Sequence, residues 1–154
     1  MIRLEPMTEV GFEDYLAKAI PEYAADKAQA GNWPEAEALE LSRKEYQNLL
    51  PEGLKTAGNY LFTLVNDHAE AVGYLWYARL EKRPEAAFIF DFEVYSAFRR
   101  QGYASQALAA LVLQAGGEGF KKLELHVFGY NTAARELYKK SGFIETNVNM
   151  ARDI

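Results

Sequence analysis

The run from Ala86 to Ala115 constrains this chain more than any other stretch. It reads as a strand, Ala86 to Tyr95, then a small-residue loop, Arg99-Arg100-Gln101-Gly102-Tyr103-Ala104-Ser105, then a helix from Gln106 that stops at Gly116-Gly117. A strand that turns through such a loop into a helix leaves several backbone N–H groups unpaired and aimed one way. Together with the positive end of the helix dipole they make a seat for a phosphate. Gly102 and Ala104 add no bulk, so an anion can approach the main chain, and Arg99 and Arg100 bring charge to the same place.

The rest of the chain gives this run a setting. A short strand near Ile2–Met7 precedes two helical stretches. In the first, Phe12, Tyr15, Leu16 and Ala19 recur at helical spacing and Pro21 either kinks or ends the helix. The second runs from Glu35 to Leu50 behind Trp33-Pro34. Tyr60–Val65 and Ala71–Leu80 read as a hairpin around Asn66-Asp67-His68-Ala69. Within Ala86–Tyr95, simple alternation places Phe88, Phe90, Phe92 and Val94 on one face and Ile89, Asp91, Glu93 and Tyr95 on the other. A strand at Leu123–Val127, a helix at Thr132–Lys140 capped by Asn131, and a last strand at Phe143–Met150 complete the order β-α-α-β-β-β-α-β-α-β. The expected fold is α/β: one mixed, mostly antiparallel sheet flanked by about four helices, in a single domain over residues 1–154.

Composition narrows the function. There is no cysteine among the 154 residues, which excludes disulfides, thiolate zinc sites and a cysteine nucleophile and fits a cytoplasmic location. A net charge of −5 argues against nucleic acid as the main ligand and suits a cationic substrate slightly better. No apolar run approaches a membrane span, and the first residues lack the regions of a signal peptide. His68 and His126 are the only histidines and have no matching carboxylate spacing, so no metal site is expected. Neither a Gly-x-x-x-x-Gly-Lys-Ser/Thr run nor a dinucleotide fingerprint occurs.

Two motifs, in order, carry a family resemblance. The run from Val94 to Ala104 resembles the acetyl-CoA motif Arg/Gln-x-x-Gly-x-Gly/Ala of the GNAT superfamily of N-acetyltransferases. The run Asn131-Thr132-Ala133-Ala134-Arg135-Glu136-Leu137-Tyr138-Lys139-Lys140-Ser141-Gly142-Phe143 resembles the family's second signature, Asn-x-x-Ala-x-x-Leu-Tyr-x-x-x-Gly-Phe. Ser96 stands where many members carry proline.

The resemblance implies transfer of an acetyl group from acetyl-CoA to an amine by direct attack, without a metal. It assigns the pyrophosphate to the backbone from Arg100 through Ser105, with Arg99, Gln101 and Tyr103 in the same loop. The pantetheine arm and thioester fall to the edge of the strand at Val94, which must part from the strand at Leu125 in the family's manner, with Asn131 and Ala134 as further contacts. Tyr138 matches the family's general acid. For the base the candidates are Glu93, with Asp91 as the alternative, or a water. The acceptor would meet the aromatic and acidic residues of the first helices and the hairpin, among them Tyr15, Tyr23, Trp33, Glu35, Glu37, Tyr46, Tyr60, Tyr74 and Trp76. Amino-sugar antibiotics, polyamines, lysine side chains and protein N-termini all remain open as acceptors. So do a homodimer and an alternative in which the domain binds acetyl-CoA as a sensor without catalysis.

Overall fold

The computed structural model describes residues 1–154. Its elements are β1 (Arg3–Pro6), α1 (Glu9–Gln29), α2 (Glu35–Leu49), β2 (Asn59–Val65), β3 (Ala71–Arg79), β4 (Ala86–Val94), α3 (Tyr103–Gly117), β5 (Lys122–Leu125) and α4 (Thr132–Lys140). The five strands lie in chain order, β1 to β4 antiparallel and β5 parallel to β4. The mixed, mostly antiparallel sheet and four helices expected from the sequence are therefore present. No helix is long and apolar enough to cross a membrane.

Each face of the sheet has its own core. On one, α3 buries Ala107, Leu108, Leu111 and Ala115 against Leu64, Leu75, Tyr77 and Ile89. Val112, although apolar, is half exposed because it lies off the stripe those four residues define. On the other face, Phe12 and Tyr15 of α1 and Tyr46 of α2 pack on Leu61, Tyr74 and Trp76. Tyr15 meets Tyr74 edge-on at 4.7 Å and Tyr46 at 6.5 Å, the geometry that ring quadrupoles favour. Thr8 caps α1 by accepting from the Gly11 N–H.

Three sequence expectations are corrected. Pro21 does not end the first helix; α1 runs on through it to Gln29, with Tyr15, Ala19 and Ala24 buried on both sides of it. The alternation in β4 is interrupted. Tyr77 pairs with Ile89 while the next residue, Trp76, pairs with Asp91, so Phe90 is an extra residue in a β-bulge. Ile89 therefore shares the α3 face with Phe92 and Val94, and Asp91 and Glu93 face α1 and α2. Finally, the expected strand at Phe143–Met150 does not form; from Ile144 onward there is no backbone-to-backbone hydrogen bond, and the outer edge of β5 stays unpaired.

Candidate active site

The bulge and the end of the β4–β5 ladder coincide. Pairing between the two strands stops at Ile89–Leu125, yet β4 continues to Val94. A bulge bends its strand and raises the local twist, so the extra Phe90 carries β4 away from β5 at that point. The Tyr95 N–H donates to the Val72 carbonyl, at the alternating position next to the Gly73–Val94 pair. By the alternation of an antiparallel ladder, the backbone groups of Phe92 and Val94 then face the opposite edge, toward the opening.

Two cavities lie along this opening. One, of about 220 Å³, is bounded by Val94 and Phe98, by Arg99, Arg100 and Gly102 of the loop, by Tyr103, Ala104 and Ser105 of the first turn of α3, and by Leu137. Gly102 stands immediately before α3 with φ +79°, and a side chain there would be strained. No side chain caps α3, so the amides of its first turn remain available. Arg100 also has positive φ, at 62°. Arg99 does not reach over the loop. Its Nε donates to the Val94 carbonyl at 3.1 Å and its Nη2 lies 3.4 Å from Glu93. Gln101 is exposed and borders neither cavity.

The second cavity, of about 150 Å³, lies where β4 and β5 part. Asp91 and Phe92 border it from β4, His126 and Phe128 from the continuation of β5, and Asn131, Ala134 and Tyr138 from α4. Asn131 caps α4, its Oδ1 accepting from the Ala134 N–H at 3.2 Å, which leaves its amide group free to donate. Tyr138 packs edge-on to Phe143 at 5.5 Å. Burial and then the nearby Asp91 charge push its hydroxyl up to about 12, so it is protonated throughout the physiological range.

Two carboxylates of β4 have different surroundings. Asp91 is raised to about 6, chiefly by burial, against the lowering effect of the Tyr15 hydroxyl that donates to it at 2.7 Å. Glu93 lies outside both cavities. Its Oε2 accepts from the Tyr74 hydroxyl at 2.7 Å, and its Oε1 faces Arg99 at 3.4 Å and Lys18 at 3.9 Å. Lys18 also sits 4.9 Å above the Tyr95 ring. Of the expected acceptor-side aromatics, Tyr15, Tyr23, Trp33, Tyr46, Tyr74 and Trp76 form one aromatic cluster on the α1–α2 side, edge-to-face except for the tilted Tyr46–Trp76 pair. Tyr60 lies apart on the other face, stacked on Tyr77, while Glu35 and Glu37 are exposed at the start of α2.

The sequence reading thus named residues that gather around the opening, but it missed two features. One is the bulge at Phe90, which regular Phe-x-Phe spacing conceals. The other is the Tyr15–Asp91 link, which joins residues 76 positions apart and leaves no local signal.

Comparison with known proteins shows the family. The Acetyltransferase (GNAT) family matches residues 21–143. YycN, an uncharacterized N-acetyltransferase of Bacillus subtilis (strain 168), is 42% identical over 154 residues, covering 99% of each chain. YdgE, an uncharacterized N-acetyltransferase of the same organism, is 38% identical over 152 residues, covering 98% of this chain and 97% of the relative. The crystal structure of YycN superposes with a TM-score of 0.93 at 41% identity, covering 100% of this chain and 99% of that one.

Proposed function

Since this chain belongs to the GNAT acetyltransferase family, we propose that it moves an acetyl group from acetyl-CoA to a primary amine by direct attack. The observation that carries the reading is the shared opening: the phosphate loop at one end, and Tyr138 and Asp91 around one cavity at the other. Acetyl-CoA suits the residues present, because α3 begins with uncapped amides behind a glycine that leaves room for an anion. When bound, it supplies the acetyl group as an activated thioester.

In this reading the amides from Tyr103 to Ser105 hold the pyrophosphate, and Arg100 adds charge. The Phe92 backbone and the Val94 N–H on that edge pair with the amide-rich arm as an extra strand would, the Val94 carbonyl being already bonded to Arg99. An N–H on that edge polarises the thioester carbonyl. Tyr138 protonates the departing thiolate, whose pKa of about 8–9 lies below that of the hydroxyl, so the proton must pass as the sulfur leaves and its charge grows.

The acceptor must lose a proton before it attacks. For an ammonium of pKa ~10 the neutral form costs about 4 kcal/mol at pH 7. We assign this task to Asp91, directly or through a water, in preference to Glu93. Asp91 borders the same cavity as Tyr138, and its raised pKa keeps it ionised at pH 7 while making it a better base than an ordinary carboxylate. Glu93 lies outside both cavities, with its carboxylate turned to Tyr74, Arg99 and Lys18.

A thiol-release assay with acetyl-CoA against amino sugars, polyamines, lysine peptides and peptide N-termini tests the proposal. The protein has no cysteine of its own, so any thiol signal comes from released coenzyme. Turnover with at least one amine class supports the enzyme. Tight binding of acetyl-CoA with no turnover across the panel favours the sensor reading.

A further inference from the structure

Two short rows of aromatic side chains flank the place where β4 and β5 part. On β4, Phe90 stacks on Trp76 with ring centroids 4.7 Å apart and meets Phe88 edge-on at 5.0 Å. Phe90 is nevertheless 37% exposed, although large apolar side chains in this sheet are mostly covered. On the continuation of β5, Phe128 meets His126 edge-on at 5.0 Å and stacks on Tyr130 at 5.4 Å, and Tyr130 is 69% exposed. The rings pack along each row and not across the gap between the rows. That gap holds the cavity of about 150 Å³, which Phe90, His126 and Phe128 border together with Asp91 and Tyr138.

Polar groups in this cavity are few. Asp91, His126, Asn131 and Tyr138 supply them, and every other side chain on its wall is apolar. Asp91 is the one acid there. Glu93 is turned to Lys18 and Arg99 instead, and Glu124, further back on β5, has both oxygens taken by Arg83 at 2.9 Å and 3.1 Å. A second ammonium on the acceptor therefore finds no free carboxylate beside the first, and against apolar walls it keeps its desolvation cost. An amino sugar meets the same obstacle, because each hydroxyl turned toward Phe90 or Phe128 without a partner is destabilising.

Resting on the acetyl-transfer reading, we propose that the acceptor is an arylalkylamine: a primary monoamine joined by a short alkyl link to one aromatic ring. The ring lies between Phe90 on one side and Phe128 and Tyr130 on the other, and the amine reaches Asp91. Size agrees, since an apolar-walled cavity of about 150 Å³ is of the order that admits one benzene ring. A ring in the gap covers the exposed faces of Phe90 and Tyr130 and adds offset or edge contacts that an alkyl chain cannot make. The link is short because Phe90 and Asp91 are adjacent in β4 and border the same cavity. On transfer the amine nitrogen bonds the acetyl carbon as the C–S bond breaks. Its proton passes to Asp91, and the Tyr138 proton passes to the departing sulfur.

Thiol release at saturating acetyl-CoA tests the acceptor class. For the full chain, kcat/KM with 2-phenylethylamine and tryptamine should exceed that with propylamine, spermidine or kanamycin by about 10-fold or more. Faster turnover of spermidine, kanamycin or a peptide amine overturns the proposal and leaves acetyl transfer standing. Phe128→Ala combined with Tyr130→Ala should raise KM for 2-phenylethylamine by about 10-fold and bring its kcat/KM down toward that of propylamine. An equal loss with both amines would show a structural role alone and equally overturn the proposal. If no amine releases thiol, acetyl transfer itself fails, and binding decides about the aromatic gap. Saturation-transfer NMR should then show contact with the ring protons of 2-phenylethylamine in the full chain and not in the double variant; no contact in the full chain overturns the proposal.

Discussion

Tyr138 and Asp91 are the residues on which the proposed chemistry depends, and each has a distinct signature. Replacing Tyr138 by Phe keeps the packing against Phe143 and removes only the hydroxyl. Turnover is expected to fall about 100-fold or more, the usual range for a lost general acid, with acetyl-CoA affinity nearly unchanged; unchanged turnover at saturating substrate would remove Tyr138 from this role. For Asp91 the signature is pH. A base must be deprotonated to act, so kcat/KM should fall as pH drops through about 6, where Asp91 gains its proton. Tyr15 donates to the charged form and so lowers that value. Tyr15→Phe should move the acid limb to higher pH, by up to about one unit, the worth of one ordinary hydrogen bond. An acid limb that stays in place would mean that another group sets it. These two residues also show what the sequence could and could not tell. Tyr138 was legible through its motif. Asp91 was legible as a carboxylate on β4, but its ranking against Glu93 depends on partners that come from α1, β3 and the loop after β4.

At the scale of elements, the contact between β3 and β4 is decided by one small residue. A side chain at Gly73 would bring its Cβ within 2.0 Å of the Glu93 carbonyl oxygen, a backbone atom that cannot swing away. Gly73→Ala must therefore push β4 off β3 at the Glu93–Val94 end. We expect a loss of roughly 1–3 kcal/mol in chemical denaturation, the cost of overpacking a close contact, together with weaker acetyl-CoA binding, because the same backbone borders the opening. Element positions were largely readable from the chain, since apolar periodicity and caps such as Thr8 and Asn131 are local properties. The two failures at this scale were non-local. The helix continues past Pro21 because residues on both sides of it are packed, and the 143–150 segment leaves α4 without pairing to any strand.

Considered as a whole, the protein joins the proposed donor and acceptor regions through one interrupted ladder. Binding of acetyl-CoA along that opening should stabilise the fold: at a concentration 100 times its Kd, mass action adds about 2.7 kcal/mol, visible as a higher melting temperature. Gly102→Glu sets a side chain of the wrong charge at the mouth of α3 and should abolish the rise; an equal rise in both proteins would put the cofactor elsewhere. The bulge has a wider implication. Tyr77–Ile89 and Trp76–Asp91 already stand in consecutive register, so deleting Phe90 would shift no other residue of β4 to a new face. It would leave an ordinary strand free to go on bonding to β5 beyond Leu125. Such a variant should melt higher than the wild type and transfer no acetyl groups. Here thermostability and activity pull in opposite directions at one inserted residue, so selection for a tougher protein alone would tend to erase Phe90 and with it the catalyst.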